Sequence, residues 1–414
     1  MIDRAHHRLI VAAAACPLLI AAPAAAVTHC KAKSIDGVIA VSARDVVGTP
    51  RWGVRYDGET ESFDGAGSCL VGDTMRNCAL AAIGEPERTT APPSCTLYLG
   101  DDGAEQCSVW IKRCVPSSEA PPCAVLPADN IWNRDISSMP VHASSEDWID
   151  SIGRDGTVHP DFGSGLYRNG LIGIPYVVIS ATQPEVPISF LYDDESDPGP
   201  YPIPPLVAVE GGGSKPSKGK GDAHVILVQE NTCELFEVYA SKRQNGGASW
   251  SAGSGAVFNL SSNVLRPDTW TSADAAGLPI LPGLIRYDEI VAGEITHAIR
   301  FTAAVTQRGY VWPARHYASS QTDPGLPPMG IRVRLKSGFD ISGYSPTTQI
   351  IMTAMKKYGL MLADNGSDWY ISGAPDSRWD NDELRELRDL TGDDFEVVNV
   401  SSLMIDPDSG QAAP

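Results

Sequence analysis

Basic residues are scarce in this chain: 32 Lys and Arg stand against 51 Asp and Glu, a formal net charge of −19 at pH 7. Phosphate backbones are gripped by clustered cations, so this balance argues against a nucleic-acid partner. The apolar run from Leu9 to Ala22 falls short of the roughly 20 residues a membrane span needs, and no transmembrane segment is expected. There is no Cys-x2-Cys pair, and His29 is the only histidine between the first ten residues and His142, which disfavours a zinc module. Also missing are a Gly-x-Ser-x-Gly elbow, a His-Glu-x-x-His pair, a P-loop, a dinucleotide fingerprint and any internal repeat. Gly211-Gly-Gly213 is a glycine run without the strand-to-helix setting of a phosphate loop.

What is present points first to export. Arg4 and Arg8 precede the apolar run, and residues 22–26 supply the small side chains of a signal-peptidase site, so residues 1–26 are expected to be a cleaved signal peptide and the protein secreted, extracellular or periplasmic. Hydrophobic residues at 43% and charged residues at 20% place the remainder among globular proteins. With 39 Gly and 32 Pro, many turns and short strands are favoured over long helices.

Setting aside Cys16 inside the leader, the mature chain keeps Cys30, Cys69, Cys78, Cys95, Cys107, Cys114, Cys123 and Cys233. An even number in an exported chain predicts a disulfide framework. Seven lie between residues 30 and 123, so one of them must reach Cys233. Cys123, the last of the seven, is the expected partner, which would clamp two modules together.

The organisation follows. Residues 27–115 read as a small cysteine-rich β module, with strands over Gly37–Ser42 and Arg51–Tyr56 and a hairpin from Cys95–Leu99 to Cys107–Lys112. Residues 116–123 have linker composition, 124–402 form a β-rich main domain, and 403–414 are expected to fray. In the main domain, strands are predicted over Gly173–Ser180, Val186–Tyr192, His224–Gln229, Leu235–Tyr239, His297–Thr302 and Gly330–Leu335. Helices are predicted from Ser144 to Gly153, from the Ser345-Pro346 cap to Gly359, and from the Asp380-x-x-Glu383 capping box to Gly392. The fold class is mainly β and sandwich-like, with a few covering helices.

Four places could carry chemistry. Asp222 and His224 open an apolar strand just after Glu210 and the glycine run; residues two apart share a strand face, so Asp222 could orient the imidazole. Arg315-His316-Tyr317 sets a cation, an imidazole and a phenol side by side, as a polysaccharide lyase or a polar-ligand site requires. Asp364 and Asp368 bracket an Asn-Gly turn followed by Trp369-Tyr370. Carboxylates beside aromatic rings suit glycoside cleavage, while turn capping would equally explain the aspartates. Asp193, Asp194 and Asp197 offer oxygen ligands for Ca²⁺ without EF-hand spacing, so a solvated acidic turn is expected there. His142, His159, His224, His297 and His316 are too dispersed to predict a metal site.

The stretches Trp250–Tyr287, Val311–Leu335 and Tyr358–Trp379 resemble an uncharacterised family of exported bacterial proteins, and the cysteine-rich segment resembles an accessory module attached to them. The resemblance implies bacterial origin and export, and implies no activity and no catalytic residue. From the residues themselves, the expectation is a secreted glycoside hydrolase acting on an extracellular polysaccharide or cell-surface glycan. Asp364 would be one catalytic carboxylate, Asp222 or Glu210 its partner, with His224 and His316 assisting and Arg315, Tyr317, Asp368, Trp369 and Tyr370 binding substrate. A polysaccharide lyase and a non-enzymatic surface-binding protein are the alternatives.

Overall fold

A run such as His224-Val-Ile-Leu-Val-Gln229 has no polar alternation, which suits a strand covered on both faces. The computed structural model accounts for that pattern. It describes strand backbones within residues 28–111 and the chain from residue 120 onward, apart from residues 168–169, 205–206, 213–221 and 377. Two compact units divide at Pro116 and Ser117.

The first unit contributes eight described strands: β1 (Thr28–Ile35), β2 (Val38–Arg44), β3 (Arg51–Tyr56), β4 (Glu59–Phe63), β5 (Gly67–Ser68), β6 (Cys78–Gly84), β7 (Cys95–Asp101) and β8 (Ala104–Ile111). They form two antiparallel four-stranded sheets, ordered β1-β2-β6-β5 and β4-β3-β7-β8. The signal peptide expected over residues 1–26, and the bridges expected of Cys30, Cys69, Cys78, Cys95, Cys107 and Cys114, lie outside the described residues and side chains.

In the second unit the strands are β9 (His159–Asp161), β10 (Leu166–Tyr167), β11 (Gly170–Leu171), β12 (Tyr176–Ile179), β13 (Ile188–Phe190), β14 (Val225–Gln229), β15 (Glu234–Tyr239), β16 (Lys242–Gln244), β17 (Ser249–Ala252), β18 (Ser254–Asn259), β19 (Ile299–Ala303), β20 (Arg332–Leu335), β21 (Leu360–Asn365), β22 (Tyr370–Ser372) and β23 (Phe395–Val398). The helices are α1 (Ser145–Ile152), α2 (Tyr287–Ala292), α3 (Pro346–Lys357) and α4 (Asn381–Arg385). This unit is rich in strands and poor in helix, and its sheets are mixed. Among the described residues no helix is long and apolar enough to cross a membrane.

The central sheet runs β12-β14-β15-β18, with β12 and β14 parallel and the remaining pairs antiparallel. Val225 and Leu227 of β14 join one core with Phe236, Val238, Trp250 and Tyr201, on the side of the three-stranded sheet β13-β17-β16. Ile226 and Val228 join the other, larger core. Burial on both faces therefore explains the uninterrupted apolar run.

The largest sheet is ordered β23-β20-β21-β19-β22-β9. Phe301, Leu362 and Ile371 share one of its faces, by pairing of Phe301 with both Leu362 and Ile371. They belong to the same core as Ile149 and Ile152 of α1 and Ile351 and Met355 of α3. Helix α3 begins where Ser345 accepts a hydrogen bond from the Thr348 amide, with Pro346 at its first position. It stops at Gly359, whose φ of 72° lies in the left-handed region and whose place is too tight for a side chain against the Val333 carbonyl.

Two expectations need correction. Cys123 and Cys233 are disulfide-bonded across a separation of 110 residues, but both belong to the second unit. The bond fastens that unit's own beginning to the turn between β14 and β15, and is not a clamp between modules. Residues 403–414 are tied down: Leu403 and Ala412 are buried, Val264 bridges Ser409, and Asn130 bridges Gln411.

Candidate active site between two sheets

The second face of the large sheet is polar. Thr302 pairs with Tyr370, Tyr370 with His159, and Ser372 with Asp161, so alternation sets Arg300, Thr302, Tyr370, Ser372, His159 and Asp161 on one face. β21 breaks its register here: Phe301 pairs with Leu362, yet Thr302 pairs with Asp364. The extra residue, Ala363, re-aims Asp364 onto the Arg300 face, as bulges commonly do beside functional clefts.

Arg300 is the hub. Its Nε lies 2.7 Å from Asp274 Oδ2, Nη2 lies 2.5 Å from Asp274 Oδ1 and 3.1 Å from Asp364 Oδ2, and Nη1 donates to Ser372 Oγ at 2.7 Å. Two carboxylates thus compete for one guanidinium, with Asp274 holding the bidentate contact and Asp364 the single longer one. Burial and the Asp274 charge push the Asp364 carboxyl well above the ordinary carboxylate range. Asp364 Oδ1 accepts from the Asn365 amide at 2.8 Å. Both its oxygens are engaged within the protein.

From the central sheet come His224 and, two positions before the end of the following strand, Glu237. His224 Nδ1 sits 2.7 Å from Glu210 Oε2, and Nε2 sits 3.1 Å from the Ala273 carbonyl oxygen. With an acceptor at each ring nitrogen, both carry hydrogen and the ring is an imidazolium. Burial alone would depress the His224 pKa; the Glu210 charge and hydrogen bond reverse this and hold it at about 9. Burial likewise works to raise the Glu210 carboxyl, and the same partner brings it below its ordinary value. Glu210 Oε2 also accepts from the Asp222 amide at 3.0 Å. Among the described residues no donor reaches Oε1.

A cleft of about 660 Å³ opens beside this cluster. Asp161, Glu210, His159, Tyr370, Arg385 and Arg388 are among its lining residues, whereas Asp364, Asp222 and His224 stand behind the lining. Asp161 keeps its solvent contact through the cleft, and its carboxyl makes no hydrogen bond to the described residues. The surrounding protein raises its pKa, with the Glu210 charge adding to the effect and Arg300 opposing it. The cleft therefore holds two carboxyl groups driven apart, Asp161 upward and Glu210 downward. His159 stacks on Tyr370 with ring centroids 4.1 Å apart.

The structure brings Glu210, His224, Asp222, Asp364 and Tyr370 into one region, with changed roles. Glu210, and not Asp222, orients the imidazole, because its side chain folds back from the preceding turn onto the strand start. His224 has no free nitrogen with which to act as a base. Trp369 is fully buried, stacked on Phe301 and Phe395, with Nε1 donating to the Gly153 carbonyl at 2.8 Å; it is core and not a sugar platform. Asp368 accepts from the Ala304 amide at 2.7 Å and fixes a turn.

The Arg315-His316-Tyr317 group does not join the cleft. Arg315 is buried and donates to the carbonyls of Arg266 and Pro407 and to Asp408, anchoring the C-terminal segment. His316 Nδ1 faces the Ala275 carbonyl oxygen at 2.8 Å, and Tyr317 stacks on His316 and takes Arg308 over its ring. The acidic loop is equally occupied: Asp193 and Asp194 form a short 3₁₀ turn, while Asp197 accepts from Arg266 at 2.5 Å and from the Val257 amide at 2.8 Å. Among the described residues no group of three or more His, Cys, Asp or Glu side chains is disposed to hold a metal.

Asp161, Arg300, Asp274 and Glu237 escaped the sequence reading. Arg300 stands alone as a charge in its strand and Glu237 interrupts the apolar run that follows Glu234, which is a usable signal because such burial demands a partner. Glu237 finds its partners in the Ile280 and Leu281 amides, and burial pushes its pKa up to about 7. Comparison with protein-family models, with curated proteins and with solved structures gives no match.

Proposed function

We propose that the protein is a secreted glycoside hydrolase acting on an extracellular glycan, with Asp161 as general acid and Glu210 as base or nucleophile. One observation carries the reading: Asp161 and Glu210 line a single cleft, the first solvent-accessible with no hydrogen-bond partner among the described residues, the second ion-paired to His224. Glycoside cleavage needs one carboxyl that keeps its proton and one that has lost it. Glu210 is anchored through Oε2 while no donor among the described residues reaches Oε1, so the ionised group is held in place without being consumed. Asp364 is assigned to positioning: with Asp274 it fixes Arg300 beneath the pair. The leader-like N-terminus supports export, and the strand-rich mixed sheets of the second unit are compatible with a sandwich-like scaffold.

Asp161→Asn should reduce kcat by about 10²–10⁴-fold at nearly unchanged Tm, the range for loss of a general acid. Full activity in that variant would overturn the assignment. The anomeric configuration of the first product, followed by NMR, then assigns retention or inversion.

A lyase reading has one observation in its favour. His159, Tyr370 and Arg388 adjoin in the same cleft, with Arg388 Nη2 3.3 Å from His159 Nδ1. Elimination would leave unsaturated products that absorb in the ultraviolet, whereas hydrolysis leaves none.

A further inference from the structure

The cleft carries charges of both signs. Its lining includes Asp161 and Glu210 and also Arg385 and Arg388, from α4 and the 3₁₀ turn Glu386–Asp389 that follows it. In a chain with 19 more acids than bases, two arginines on one wall stand against the global field. Arg385 is paired with Asp382 in an exposed i,i+3 contact, which holds it weakly. Arg388 has no carboxylate within ion-pair distance among the described residues; its one contact is His159 Nδ1.

That contact fixes the histidine as well. A guanidinium only donates, so Nδ1 is the acceptor and Nε2 carries the hydrogen. Burial, then the Arg388 charge, lower the His159 pKa and keep the ring neutral. Among the described residues Nε2–H has no protein acceptor. The neutral ring therefore adds a hydrogen-bond donor beside a cation that lacks a counter-ion among the described residues.

His159 and Asp161 are two residues apart on the same face of β9. Two strand residues span about 7 Å, so both side chains are within reach of one bound oligosaccharide. We propose that the cleft takes an anionic glycan, whose negative substituent is bound by Arg388 and the Nε2–H of His159, beside the bond addressed by Asp161 and Glu210. This rests on the hydrolase reading of the same cleft. A planar guanidinium matches carboxylate and sulfate oxygens alike, so the shared requirement is a negative substituent, from a uronate or from a sulfate ester.

The test uses the full mature chain and its Arg388→Ala variant, with two pairs of probes. One pair is oligogalacturonate and its carboxyl-reduced form; the other is a sulfated galactan oligosaccharide and its desulfated form. Hydrolysis is followed for each, and binding is measured by calorimetry on the Glu210→Gln protein with and without Arg388→Ala. The expected result is at least tenfold tighter binding of one charged probe than of its neutral counterpart. That preference should be lost in Arg388→Ala while affinity for the neutral form stays unchanged. The pair that responds identifies the substituent.

Equal affinity for charged and neutral forms in both pairs, including no binding to either, overturns the proposal. So does an Arg388→Ala effect of equal size on charged and neutral probes. Arg388-dependent binding of a charged probe that is never cleaved would leave the anion site standing and remove the hydrolase. Cleavage of neutral probes without charge preference would do the reverse.

Discussion

His224 Nδ1 and Glu210 Oε2 lie 2.7 Å apart, with the imidazole 2% exposed and the carboxylate 14%. The pair joins the start of β14 to the turn before it, and Glu210 itself lines the cleft. A buried pair of this kind contributes position more dependably than stability, since the cost of burying both charges offsets much of their attraction. Its imprint should nevertheless be visible in how stability changes with pH.

His224 has a folded pKa of about 9 against an ordinary 6.5. A raised pKa gives stability that is complete below about pH 6.5 and is lost as pH climbs through about 9. Glu210 is depressed from its ordinary 4.5, so its share is present above that value and is lost as pH falls further. Both describe one interaction, worth on the order of 3 kcal/mol between pH 6.5 and 10. Thermal unfolding of the wild type should therefore show Tm falling over that range. A Glu210→Gln/His224→Gln double variant, which titrates at neither position, should fall less. Parallel Tm curves for the two proteins would rule out the ion pair.

Trp369 and Tyr370 are neighbours with opposite duties. Trp369 fills the core between Phe301 and Phe395, at ring distances of 5.8 and 5.2 Å, while Tyr370 lies half-buried on the cleft face. Trp369→Ala should cost about 3–5 kcal/mol of stability and leave KM of the folded fraction near the wild-type value. Tyr370→Ala should do the converse, raising KM for a glycan about tenfold at a small cost in Tm. Denaturant unfolding and steady-state kinetics on the two variants separate these outcomes, and a KM effect confined to Trp369→Ala would refute the division.

The contrast marks where sequence reading succeeds and stops. Helix α3 was legible because Ser345, Pro346 and Gly359 act locally on the backbone they belong to. The apolar stretch of β14 was legible because coverage of both faces writes itself into every residue. Glu210, Asp364 and His224 were legible as candidates, being polar groups at the edges of strands. Their partnerships were not, since Glu210 reaches His224 through a turn and Asp364 meets Arg300 only because β21 bulges at Ala363. Simple alternation would have put Asp364 on the apolar face. Arg315 looked like a ligand for substrate because its true partners, Pro407 and Asp408, lie more than 90 residues away in the segment expected to fray. Asp161 left no local trace at all, sitting in a three-residue strand whose importance comes from its neighbours in space.

The Cys123–Cys233 bond lies wholly within the second unit. Removing it takes a closed loop of 110 residues out of the unfolded ensemble's constraints, for which chain-entropy arguments and measured cases give about 2–5 kcal/mol. A Cys123→Ser/Cys233→Ser double variant should unfold at lower temperature without change in KM, because neither residue lines the cleft. Apart from Cys16 in the expected leader, the bond leaves six cysteines, Cys30, Cys69, Cys78, Cys95, Cys107 and Cys114, all before the unit boundary. Six can pair completely among themselves. Non-reducing peptide mapping of the purified protein should then find Cys123 joined to Cys233 and no bridge crossing Pro116. A crossing bridge would show that the two units are covalently clamped after all, and would leave Cys123 or Cys233 with a different partner.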